Sequence, residues 1–161
     1  MIRGRRESGI LLHVREVMDR FALPGMKILL FAFGEDNPMH PYLPHAYEKN
    51  FLVYTGTHDN NTVRGWFEEE ASSEDKRRLF RYLGSNLPVE EIHWALIRLA
   101  MMSVARSVIL PMQDLLGLGG EARMNRPSIA RGNWEWRLQS GQITPLVSEK
   151  LLDITETFGR G

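Results

Sequence analysis

The chain has 161 residues, 43% apolar and 25% charged, which is the composition of one globular domain with its own core and requires no second domain. Its 20 basic and 20 acidic residues cancel, so charge gives no argument for nucleic acid or an anionic membrane surface as a partner. The absence of cysteine excludes disulfides and thiolate metal ligands and fits a reducing, cytoplasmic setting. The apolar stretch Ile10-Leu11-Leu12 behind Arg3, Arg5 and Arg6 is too short for a signal peptide, and no later run is long enough to span a membrane.

Val14, Val17, Met18 and Phe21 recur at helical spacing and predict a short amphipathic helix, stopped by Pro24-Gly25. Residues Met26 to Phe33 form a continuous apolar run, the pattern of a strand buried on both faces. Gly34 to Asn50, with three prolines, two histidines and two tyrosines and no period, reads as a long loop. Phe51 to Thr57 is the second predicted strand and ends at His58-Asp59-Asn60-Asn61. Three helices follow: Thr62 to Ala71, a segment capped by Ser72-Ser73-Glu74-Asp75, and Val89 to Arg106 behind Pro88. Ser107 to Met112 is the third strand, passing into Gln113, Asp114 and a glycine-rich turn over Gly117 to Gly120. Gly132 to Trp136 is irregular, and Thr144 to Phe158 closes the chain as an amphipathic helix.

Strands alternating with helices define an α/β protein built from parallel β/α units, and three units are too few to close an eight-stranded barrel. Each predicted strand ends in polar residues, at the edge where α/β folds place their chemistry. His58 and Asp59 follow directly after a strand and fit a substrate rim, with His58 as donor and Asp59 as acceptor; an Asx-type turn of Asp59 and Asn60 capping the next helix fits the same spacing. Gln113 and Asn125 follow the third strand and suit either the rim or turn hydrogen bonding. Trp94, among Leu96, Ile97 and Leu99, belongs to a core, whereas Trp134 and Trp136 fit a core or an exposed stacking platform equally. Glu68-Glu69-Glu70 reads as a solvated helix face. His40 and His45 flank a proline-rich stretch without a third ligand, so no metal is expected, and Gly117, Gly119 and Gly120 lack a phosphate-cradle spacing, so no nucleotide cofactor is expected.

Several segments, in order, resemble one family. Leu23-Pro24-Gly25-Met26-Lys27 leading into Leu30-Phe31-Ala32-Phe33 comes first, followed by Asn37-Pro38-Met39-His40-Pro41-Tyr42-Leu43-Pro44-His45. Tyr54-Thr55-Gly56-Thr57-His58-Asp59-Asn60-Asn61-Thr62 with Gly65-Trp66 is the most recognisable block. Pro111-Met112-Gln113-Asp114-Leu115-Leu116-Gly117-Leu118-Gly119, Arg123-Met124-Asn125, Gly132-Asn133-Trp134 and Trp136-Arg137-Leu138 complete the series. The family is that of the 4-α-glucanotransferases of the amylomaltase type, glycoside hydrolase family 77, and the resemblance runs from about Val14 to the end of the chain.

The resemblance implies the last three β/α units of a (β/α)8 TIM barrel, an incomplete barrel, and transfer of α-1,4-glucan segments between maltooligosaccharides with retained configuration. It casts Asp59 as a transition-state stabiliser and not a nucleophile and His58 as a contact to the same sugar; Asn125, Gln113 and Trp134 are taken as further substrate contacts from their positions and residue types. Retaining chemistry needs two more carboxyl groups, roughly 5–5.5 Å apart. The family's nucleophilic Asp lies upstream of the matched segments, and ungapped register puts its acid/base Glu on Arg5. Glu7 is near, but Ser8-Gly9-Ile10 does not reproduce the family's motif. Residues 1–13 are therefore read as an atypical N-terminal segment, residues 14–161 as the C-terminal part of the barrel domain, and the chain alone as inactive. The alternatives are a non-catalytic glucan-binding remnant and a subunit that needs a separate N-terminal part, with self-association through the open barrel edge. Leu29, Phe31, Phe33 and Val53 are expected to lie uncovered on the barrel-interior face unless the helices fold over it.

Overall fold

The computed structural model describes residues 9–161; Arg5 and Glu7 lie outside the described residues. Helix α1 (Gly9–Arg20) leads into strand β1 (Gly25–Ile28), and β2 (Phe51–Tyr54) and β3 (Ser107–Ile109) complete a parallel sheet of order β1-β2-β3. Between β2 and β3 lie a single α-turn, α2 (Val63–Gly65), continued by a π-helical turn (Trp66–Glu70), then α3 (Ser73–Leu83) and α4 (Val89–Met102). After β3 come the short α5 (Met112–Leu115) and α6 (Pro145–Thr157). Three parallel strands with intervening helices make a partial α/β barrel, as the alternating pattern predicts. Among the described residues no helix is long and apolar enough to cross a membrane.

The first apolar run is not one strand. Only Gly25–Ile28 pairs with β2, and Leu29–Phe33 turns into a 3-10 helix that buries Leu29, Leu30, Ala32 and Phe33. A run that is apolar at every position carries no period to separate extended from helical backbone. What decides it is packing: Phe33 lies 5.9 Å from Tyr82 and 6.4 Å from Trp66, ring centre to ring centre. The second and third strands are also shorter than predicted. β3 stops ahead of Pro111, whose ring nitrogen has no hydrogen for a ladder, and the proline opens α5 instead. Helix α4 ends at Met102 and not at Arg106, because Arg160 donates to the carbonyls of Met101, Ser103 and Ala105 and holds that segment out of the helix.

The expectation of an uncovered Leu29, Phe33 and Val53 is overturned: they are 0%, 1% and 0% exposed. They share one core with Ile92, Leu96 and Leu99 of α4, so helices cover that side of the sheet. Phe31 is the exception, at 46% exposed. The register sets Val53 beside Lys27 and Val108 on one face, and therefore puts Met26, Leu52, Tyr54 and Ile109 on the other, where Met26 and Ile109 are exposed. A second cluster joins Trp94, Ile97 and Met101 of α4 to Leu115 and Ile154, which places Trp94 in the core as its helical spacing predicts.

Helix α3 carries a reciprocal cap that its sequence announces. The Ser72 hydroxyl accepts from the Asp75 backbone at 3.2 Å, and the Asp75 carboxylate accepts from the Ser72 backbone at 2.8 Å. The helix closes on Gly84, whose φ of +76° is open to glycine at little cost.

Candidate functional site

The loop from Thr55 to Thr62 leaves the C-terminal end of β2 and enters α2. Its shape comes from short polar side chains bonding their own backbone. Asn60 Oδ1 accepts from the Thr57 amide at 2.9 Å and from the Thr57 hydroxyl at 2.8 Å. Thr62 Oγ1 caps α2 by accepting from the Gly65 amide at 3.0 Å. Turn and cap thus fall to Asn60 and Thr62, so the Asp59 carboxylate is not used as a helix cap.

Both ends of this loop are tied to one buried carboxylate. Asp114, 2% exposed, accepts from the Thr55 hydroxyl at 2.5 Å and from the Val63 amide at 2.8 Å. Loss of water around it outweighs those two donors and pushes its carboxyl up to about 6. Its position among Met112, Leu115 and Leu116 signals it in the sequence, since an acid in an apolar run must find partners.

The segment after β3 reaches over to Asp59. Asn125 Nδ2 donates to Asp59 Oδ1 at 2.6 Å, and the Asn125 amide donates to the His58 carbonyl at 3.0 Å. His58 Nε2 lies 3.3 Å from the same Asp59 oxygen; the two side chains are 54% and 52% exposed. The Trp134 ring sits 5.0 Å from the His58 ring, and its backbone, at φ +63°, donates to the Met124 carbonyl at 2.7 Å. A bulky residue held in the left-handed region marks a segment whose shape is imposed by its surroundings. Arg123, which motif reading left without a role, donates to the Asp59 carbonyl at 2.6 Å and pairs with Glu70 at 3.0 Å.

His58, Asp59, Asn125 and Trp134 are therefore brought together, and Gln113 stands apart from them. Gln113 is buried and donates to the Ala122 carbonyl at 3.3 Å, so it follows the turn-bonding reading, although it lines a recess of about 150 Å³ with His58, Arg123 and Trp134. Glu68, Glu69 and Glu70 are all exposed, as the reading of a solvated helix face expects, and they also make specific contacts. Glu68 pairs with Arg64 at 3.0 Å, and Asn61 Nδ2 donates to Glu69 at 3.2 Å and to Glu70 at 3.1 Å. Trp66–Glu70 is a π-helical turn, a wider pitch than the α-helix predicted for Thr62 to Ala71. Trp66 is core, packed between Phe33 and Phe67. His45 is engaged by the Pro38 carbonyl at 2.8 Å and the Tyr82 hydroxyl at 3.0 Å and shapes its loop.

The cluster offers a carboxylate, an imidazole, an amide and an exposed indole face, a set suited to sugar hydroxyls and a sugar ring. Among the described residues the recess is lined by one carboxylate, Asp114, which is committed to Thr55 and Val63, and Asp59 stands outside that lining.

The sequence model of a family described as 4-alpha-glucanotransferase matches residues 10–144. A 4-alpha-glucanotransferase of Synechocystis sp. is 49% identical over 148 residues, which cover 91% of this chain and 29% of that protein. One from Thermus thermophilus is 45% identical over 153 residues, covering 91% and 30%, and the chloroplastic/amyloplastic one of Solanum tuberosum is 49% identical over 140 residues, covering 85% and 24%. Amylomaltase from Streptococcus agalactiae, solved in complex with acarbose, superposes with a TM-score of 0.87 at 33% identity, over 98% of this chain and 31% of that one. The chain thus spans about 30% of the length of these bacterial relatives.

Proposed function

The chain belongs to the 4-alpha-glucanotransferase family, and from that premise we propose that Asp59, with His58, Asn125 and Trp134 around it, grips one sugar of an α-1,4-glucan or maltooligosaccharide. The observation that carries this is the Asp59 carboxylate itself: half exposed, excused from capping, and held from across the loop by Asn125. The Streptococcus agalactiae structure supports the ligand class, since that amylomaltase was solved with acarbose. In the complete reaction Asp59 acts by hydrogen bonds that strengthen as the sugar ring distorts, a contribution of several kcal/mol without proton transfer or covalency. His58 contacts the same sugar, Trp134 offers its face, and Gln113 forms the recess wall.

Retaining transfer of a glucan segment is proposed for a polypeptide that also supplies a nucleophile and an acid/base. A polypeptide of these 161 residues alone is proposed to bind without turning over, a reading supported by the recess, where the described residues offer one carboxylate, the committed Asp114. The division into residues 1–13 and 14–161 belongs to the same proposal, and so does a cytoplasmic location, which the cysteine-free composition supports; the name of the potato relative offers a plastid as the alternative.

The test is glucose release from maltotriose by the purified chain beside an intact amylomaltase, with maltoheptaose binding followed in parallel. We expect no glucose from the folded chain, and binding that is lost in Asp59→Ala. Glucose released in proportion to the chain overturns the claim of inactivity, and unchanged binding by Asp59→Ala overturns the assignment of the site. A second reading, a subunit that works beside a separate N-terminal part or another copy of itself, is favoured by the exposed Met26, Phe31 and Ile109 on and beside the open sheet face. Sedimentation that stays monomeric at all concentrations counts against self-association.

A further inference from the structure

Asp59 stands at a loop tip, where backbone and side chain keep their freedom unless something outside the loop removes it. Its own loop does little: Asn60 bonds Thr57, Thr62 caps α2, the Asp59 amide reaches the Thr57 hydroxyl at 3.4 Å, and the exposed His58 ring approaches Oδ1 at 3.3 Å. The restraint comes from 64 residues further along the chain. Arg123 spreads its guanidinium over three acceptors from three segments: Nη2 to the Asp59 carbonyl at 2.6 Å, Nε to the Asn125 carbonyl at 2.9 Å, and Nη1 to Glu70 Oε1 at 3.0 Å. Its side chain is 15% exposed, so these bonds compete little with water.

The arrangement is closed on itself. Glu70, delivered by the π-helical turn, also accepts from Asn61 in the same loop, at 3.1 Å. Asn125, whose carbonyl Arg123 holds, gives its amide to the His58 carbonyl and its side chain to Asp59 Oδ1. A planar fork of five donors fits three fixed acceptors in a way that the single ammonium of lysine does not.

We propose that Arg123 is the positioning residue of this site: by holding the Asp59 and Asn125 carbonyls together it locks Asp59 Oδ1 onto Asn125 and leaves Oδ2 as the acceptor for a sugar hydroxyl. The proposal rests on the reading of Asp59 as the residue that grips sugar, but the positioning itself is measurable without sugar. An ordinary surface ion pair between Arg123 and Glu70 would add little to stability and nothing to the geometry of Asp59.

The experiment uses the 161-residue chain and the variants Arg123→Met, Arg123→Lys and Glu70→Gln. Three readouts are taken: the NMR shift of the Asn125 side-chain amide, maltoheptaose affinity, and Tm. Arg123→Met is expected to move the Asn125 amide to the position it takes in Asp59→Asn and to weaken maltoheptaose binding about tenfold, the loss of one well-placed charge-assisted bond. Arg123→Lys keeps the charge and is expected to behave like Arg123→Met, whereas Glu70→Gln moves the amide part of the way. Wild-type amide shift and affinity in Arg123→Met, or full rescue of both by Arg123→Lys, overturns the proposal. If Arg123→Met does not fold, the amide shift in Arg123→Lys decides. If the unsubstituted chain does not bind maltoheptaose, the functional reading fails, and the amide shifts still decide the role of Arg123.

Discussion

Thr55 donates its hydroxyl to Asp114 Oδ2 at 2.5 Å, joining the end of β2 to α5 across 59 residues, with both side chains shut away from water. Removing the hydroxyl without changing shape leaves a buried carboxylate one donor short. Thr55→Val is therefore expected to cost roughly 1–3 kcal/mol, while Thr55→Ser stays near the parent. Urea unfolding of the three proteins checks this, and a Thr55→Val variant as stable as the parent refutes it.

Two buried groups make stability depend on pH in opposite senses. Burial raises Asp114 from 3.8 to about 6, so the unfolded chain releases that proton first and stability falls as pH rises from about 4 to 6. That interval is worth about 3 kcal/mol at one unit per 1.36 kcal/mol. His93, whose ring also lies in the core, is lowered from 6.5 to about 4, chiefly by burial, and stability is lost as pH falls through that window. The parent is expected to show a shallow profile between pH 4 and 6.5. Asp114→Asn should expose the His93 slope, stability falling with acid, and His93→Gln the reverse. Denaturant midpoints across that range test both, and unchanged slopes in either variant contradict the assignment.

Gly117 has a φ of +63°, and a Cβ there would stand 2.7 Å from Cε1 of His93. Backbone strain and overlap add, so Gly117→Ala is expected to destabilise by more than about 1 kcal/mol. Gly34, with φ −72° and open space around a Cβ, is the control: Gly34→Ala should be neutral or slightly stabilising. Thermal melts of the pair settle it by their order, and equal Tm values reject the account.

Asn125→Asp would set a second carboxylate where an amide now donates to Asp59 at 2.6 Å. Two ionised carboxylates repel at that distance, so the pair is pushed apart near neutral pH and closes only where acid puts a proton on one of them. Maltoheptaose binding is expected to vanish at pH 7 and to return in part on acidification, whereas Asn125→Ala weakens it without that pH dependence. Titrations at pH 7 and pH 5 separate the cases, and pH-independent binding by Asn125→Asp would show that the two side chains do not meet in solution.

By itself the sequence determined the α/β class, three strands in their chain order, the Ser72 cap on α3, the buried Trp94, and, through ordered blocks around His58-Asp59 and Arg123-Met124-Asn125, the family. These are local properties, written in the spacing of apolar residues and in short runs of turn-forming ones. It did not determine where Met26 to Phe33 stops being a strand, because an unbroken apolar run has no period and the choice falls to Trp66 and Tyr82 packing on Phe33. Nor did it determine that Leu29, Phe33 and Val53 lie against α4 while Met26 and Ile109 face outward, since sheet register alone assigns the faces. The π-helical turn, along which Glu69 and Glu70 accept from Asn61 and Glu70 pairs with Arg123, is not legible in the helical reading of Thr62 to Ala71. The hold of Arg123 and Asn125 on Asp59 and the burial of Asp114 under Thr55 join residues more than fifty positions apart. Only the tertiary structure decides such contacts, because they depend on how three strands register and where their loops return, and a local pattern of residues carries no record of either.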